Sequence, residues 1–164
     1  MEPVEQTPTE AADYAALSTV YGALLGSLVY TARDREPIPP AELAPLAAAT
    51  FALSKLIVHE KVESWMRQPF LEERAEGRRP RGTRLRYAVG ELMNCTRCMG
   101  AWSALGLVAL RMHSPAAGRA ATTVLAASAG NDFMQSAFSL LCARATAAQE
   151  SPERQPLSAA PRAA

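Results

Sequence analysis

Lysine is almost missing from this 164-residue sequence: Lys55 and Lys61 stand against fifteen arginines. Acids nearly cancel the basic residues, leaving a net charge of +1. A dedicated nucleic-acid binder needs a basic surplus for phosphate contacts, so that class is set aside. Cysteine is scarce too, and three cysteines cannot build the even-numbered framework of a disulfide-rich secreted domain. The opening stretch MEPVEQTPTEAAD holds no lysine or arginine, so the charged start of a signal peptide is not expected there. Alternating β-branched runs are lacking and aromatics make up only 6%, which argues against sheet.

What is abundant is alanine and leucine, arranged in four apolar stretches and favouring helix. Tyr14 to Ala32 is a run of 19 residues without a charge, close to the about 20 needed to cross a bilayer. Its glycines, Gly22 and Gly26, are spaced as in closely packed membrane helices. RDREPIPP ends that run. The other stretches are Leu43 to Val58, Leu92 to Met112 and Ala120 to Cys142. Lys55 and Asp132 lie inside two of them, and a charge at a span's centre costs roughly 2.5–3.5 kcal/mol.

Between the second and third stretches, Lys61 to Arg86 carries eight Lys/Arg against four Glu. In a membrane protein such a connector belongs on the cytoplasmic side. The fold expected is all-α, a transmembrane bundle of about four helices with a basic cytoplasmic connector. Residues 1–12 are expected to form a disordered lead, 13–144 the helical membrane domain and 145–164 a disordered Pro/Ala-rich tail. Four spans place both termini in the cytoplasm of a multi-pass protein of the cell membrane. The expected partners are the lipid bilayer and a second copy or another membrane protein, with no nucleic acid.

Two segments, ATFALSKLIVHEKVESWMRQPF (49–70) and GELMNCTRCMGAWSALGLVAL (90–110), occur in order around the basic linker. The pattern they share comprises Leu56-Ile57, Glu60-Lys61, Arg67-x-Pro69-Phe70, Gly90-Glu91-Leu92, Cys95, Cys98, Gly100, Trp102 and Asp132. Over about residues 45–142 the chain resembles the bacterial family of small membrane proteins filed as domain of unknown function thirteen-sixty. Thr96 and Arg97 stand where that family usually has proline and an aromatic residue. The resemblance implies a multi-span membrane protein and supplies no activity.

The chemistry-bearing residues are few. On one helix, Glu91, Cys95, Cys98 and Trp102 would form a single stripe at spacings of four, three and four. Cys95 and Cys98 can be small core fillers, a redox pair, or part of a metal site with His59 and Glu91. No cofactor is predicted, and a metal rests on that ligand set alone. Lys55 and His59 share a face of the second stretch, and Asn131, Asp132 and Gln135 cluster on the fourth. Lys55 is expected to pair with Asp132, either fixing helix register or lining an ion path. Trp65, Arg67 and Phe70 suit an interfacial anchor, with Arg67 reaching lipid phosphate. No catalytic triad or phosphate-binding glycine loop is visible. A scaffold or accessory component is the first functional expectation, ahead of a thiol-redox or metal-handling protein and a small permeation element.

Overall fold

The computed structural model describes residues 7–74 and 77–150. The remainder of the expected lead and tail, residues 1–6 and 151–164, lies outside the described residues. The described chain is mostly helical, with six α-helices: α1 (Ala11–Ala32), α2 (Pro40–His59), α3 (Ser64–Arg67), α4 (Leu85–Asn94), α5 (Thr96–His113) and α6 (Pro115–Glu150). A 3-10 turn, Lys61–Glu63, precedes α3.

Two features differ from the sequence-based expectation. The basic connector contains a two-stranded antiparallel hairpin, β1 (Leu71–Arg74) and β2 (Gly77–Pro80), so the fold is not purely helical. Its register sets Glu72 opposite Arg79 and Glu73 opposite Arg78, and facing opposite charges stabilise such a pair. The third apolar stretch is also interrupted. Cys95 adopts φ −109°, ψ 106°, which ends α4 and starts α5. Glu91 and Trp102 therefore belong to different helices, and the single four-residue stripe does not exist.

Local chemistry accounts for the helix limits. Glu10 and Asp13 form a capping box at the head of α1, with the Glu10 N–H donating to Asp13 Oδ2 at 2.9 Å. Arg84, the residue before α4, lies 3.5 Å from the same carboxylate and also pairs with Glu10. Pro40 opens α2, where a missing N–H is harmless. Arg67 closes that helix, donating to the Ile57 and Glu60 carbonyls at 2.6 and 2.7 Å.

The chain divides into two units, residues 1–129 and 130–164. In the first, α2 packs most extensively on α5, and α1 lies against α4 and α5. Leu46, Ala49 and Leu107 form the core, joined by Ile38, Leu53, Val108 and Leu125. At Gly90 a Cβ would sit 2.6 Å from the Phe70 carbonyl oxygen and 2.9 Å from Pro80 Cβ. Only glycine lets α4 approach the hairpin this closely. The second unit, described by itself, is the continuation of α6 to Glu150, with Phe133, Met134, Phe138, Leu140 and Leu141 exposed.

Among the described residues, α1 and α2 are the helices long and apolar enough to cross a membrane. Nearly all of α1 is unburied, and Val20, Leu24, Leu25, Val29 and Tyr30 are exposed along it. A core helix of a water-soluble protein hides such a surface. Among the described residues, nothing lies within 4 Å of where a Cβ on Gly22 or Gly26 would sit.

Candidate functional site: a dithiol between two cavities

Cys95 is the N-cap of α5. Its Sγ accepts a hydrogen bond from the Cys98 backbone N–H at 3.4 Å, and its carbonyl takes the first helical bond, from Met99 N–H, at 2.9 Å. The first N–H groups of a helix lack internal partners, and the N-cap side chain satisfies one of them. Here that side chain is a thiol. The Cys98 thiol donates to the same sulfur at 2.8 Å.

These contacts divide the two sulfurs chemically. Burial pushes the Cys95 thiol up, but hydrogen bonds from the Cys98 thiol and the Cys98 and Arg97 backbone N–H groups lower it. With the Arg97 charge added, the lowering effects win, and Cys95 falls below the ordinary thiol value. Burial pushes Cys98 up to about 11, reinforced by its hydrogen bond to Cys95 and the charge there. One thiol is poised to ionise and its neighbour holds its proton. Reactive cysteines use the same setting, a helix N-terminus beside a cation.

The two sulfurs line different cavities. Cys95 lines a polar one of about 700 Å³, with Arg74, Arg78, Arg79, Tyr87 and Glu91 around it. Cys98 lines an apolar one of about 510 Å³, walled by Tyr14 and Tyr21 of α1, Leu92 of α4 and Trp102 of α5. The Tyr21 and Trp102 rings meet edge to face, 5.3 Å apart at 69°. Glu91 lines both cavities, and its carboxylate accepts a hydrogen bond from the Tyr14 hydroxyl.

The other residues singled out in the sequence fall as follows. His59 Nε2 lies 3.0 Å from Thr96 Oγ1, which brings His59 to the head of α5. Among the described residues, no three His, Cys, Asp or Glu converge into a metal-holding group, so Cys95, Cys98, His59 and Glu91 are not assembled as a ligand set. Lys55 Nζ is 3.9 Å from Glu60 Oε1. Asn131, Asp132 and Gln135 belong to the second unit; Asp132 is half-buried and the other two are exposed. Trp65 is 69% exposed and Phe70 half-buried, whereas Arg67 is 1% exposed. The Arg67 guanidinium donates to the Ile57 and Glu60 carbonyls at the end of α2 and lies 3.6 Å from Glu73 Oε1.

Sequence reasoning missed Tyr14 and Tyr21. Their signal was present, since Tyr14, Leu17, Ser18 and Tyr21 are spaced i, i+3, i+4, i+7 on α1 and all line the apolar cavity.

A family model described as Protein of unknown function (DUF1360) matches residues 45–138, from α2 into α6. No curated protein and no solved structure matches the chain.

Proposed function

The chain belongs to the family of proteins of unknown function DUF1360, and from that premise we propose that it is a membrane protein whose Cys95–Cys98 dithiol performs thiol–disulfide exchange. The family brings no activity with it, so the reading stands on this chain's geometry. The observation that carries it is Cys95 at the N-cap of α5, accepting both the N–H and the thiol proton of Cys98.

The Cys95 thiolate attacks one sulfur of a partner disulfide, forms a mixed disulfide and releases the other partner sulfur as a thiolate. Cys98, its proton passed to solvent, then attacks Cys95 Sγ. The Cys95–Cys98 bond forms, the mixed disulfide breaks, and the partner leaves with both sulfurs reduced. Run backwards, the same steps oxidise a partner dithiol. The arginine-lined cavity beside Cys95 suits an anionic thiol or disulfide.

In this reading α1 and α2 span the bilayer, and α5, from Met99 onward, and α6 are the other two spans. The connector and hairpin then face the cytoplasm, as do both termini. A reducing compartment keeps the pair in its dithiol form at rest, and its disulfide is transient.

Equilibrating the detergent-purified chain with glutathione redox buffers tests the function. We expect one intramolecular Cys95–Cys98 disulfide with a midpoint between about −270 and −120 mV, the span of exchange proteins. Two thiols that react independently at ordinary rates, and never join, would remove the dithiol reading.

A further inference from the structure

The Cys98 side of the dithiol faces a chamber unlike the basic one beside Cys95. Its volume, about 510 Å³, lies within the roughly 300–1,000 Å³ of small-molecule sites. Its walls include two aromatic rings set edge to face, a thiol, and a carboxylate bonded to a phenol. One wall is the first half of α1, a helix apolar enough to lie in a bilayer.

We propose that this apolar cavity binds a lipid-soluble quinone, which accepts the two electrons of the Cys95–Cys98 dithiol. The inference rests on the dithiol reading above and names its acceptor. A dithiol that becomes a disulfide must hand over two electrons and two protons together, and a quinone takes up that same set. A planar conjugated ring fits beside Tyr21 and Trp102. The Tyr14–Glu91 pair supplies a proton path at the wall. A lipid acyl chain filling the same space would use neither the acid–phenol pair nor the thiol.

The chemistry balances. Cys98 passes its proton to the Tyr14–Glu91 pair as its sulfur adds to a ring carbon; a C–S bond forms, and that proton goes on to one ring oxygen. The Cys95 thiolate then attacks Cys98 Sγ at 2.8 Å in the resting pair. The S–S bond forms, the C–S bond breaks with its electrons returning to the ring, and the second oxygen takes a proton. Two thiols and a quinone become a disulfide and a hydroquinone. Two soluble thiols entering the basic cavity in turn restore the dithiol: the first forms a mixed disulfide at Cys95 and frees Cys98, and the second takes the first away as a disulfide.

The test uses the reduced full-length chain in phospholipid vesicles without oxygen, with decylubiquinone as probe. Quinol is read by absorbance and thiols by titration. Exchange with the soluble hydroxyethyl disulfide is measured in parallel. We expect one quinol for each disulfide formed, and none from Cys98→Ser. Ala101→Trp and Leu17→Trp, which fill the cavity from two helices, should each lower the ratio of quinone rate to exchange rate at least tenfold; the ratio corrects for any variant that folds poorly. Exchange without quinol would overturn the quinone proposal and leave the dithiol reading standing. Failure of both reactions would overturn the dithiol reading and the quinone proposal with it. Quinol formed at an unchanged ratio in both tryptophan variants would place the reaction outside this cavity and reject the proposal.

Discussion

At Cys95 two effects oppose. Burial resists the thiolate, whereas the Cys98 thiol, two backbone N–H groups and Arg97 favour it, and the second set prevails. The ionised form, not the thiol, is alkylated. The rate of iodoacetamide labelling at Cys95 should therefore rise with pH and level off with a midpoint below the ordinary 9.0. Cys98, raised to about 11, stays protonated across that rise, so labelling should occur in two separated steps. Because the Cys98 thiol proton is the strongest of the lowering contacts, Cys98→Ala should move the Cys95 midpoint upward. Arg97→Gln, which removes the weakest, should move it less. Mass spectrometry of labelled peptides reads both midpoints; an unmoved Cys95 in Cys98→Ala would show that the sulfur–sulfur contact does not set its reactivity.

The element scale shows where sequence patterning stops being informative. Alanine- and leucine-rich runs marked α1, α2, α5 and α6 because intrinsic propensity and apolar length both point to helix there. The break at Cys95 was not visible, since serine, threonine, asparagine and aspartate mark N-caps and cysteine does not. The hairpin was hidden because its strands are charged rather than apolar, and its pairing appears only when Glu72 and Glu73 are set against Arg79 and Arg78. Gly90 stood in the pattern without a reason, and Arg67 was read as an interfacial anchor because its two carbonyl partners cannot be seen in the sequence. Gly90→Ala should destabilise the chain by about 1–3 kcal/mol, as overpacking does, because its Cβ has only backbone and a proline ring to meet. Arg67→Lys should cost about 2–3 kcal/mol, since an ammonium cannot fork onto the Ile57 and Glu60 carbonyls as a buried guanidinium does. Thermal unfolding in detergent measures both; a wild-type midpoint for Arg67→Lys would mean that the carbonyl fork is dispensable.

Across the whole molecule the deciding question is which solvent α1 faces. Fully burying a large apolar side chain gains about 1.5–3 kcal/mol, and five such residues on this helix stand exposed. In water that surface favours aggregation; in lipid it is the ordinary condition of a spanning helix. The basic hairpin and the dithiol's polar cavity need water, so the chain should divide sharply into lipid-facing and aqueous parts. Replacing Cys95, Cys98 and Cys142 by serine and then placing one cysteine at Leu24, Val29 or Arg79 separates them. In native membranes a water-soluble maleimide should label Arg79→Cys readily, and Leu24→Cys and Val29→Cys at least tenfold more slowly until detergent is added. All three positions lie on one helix or one hairpin, so the comparison does not depend on how the two units are arranged. Equal labelling at all three without detergent would put α1 in water. Its apolar face would then have to be covered by another protein chain, and a quinone could no longer reach the Cys98 cavity through lipid.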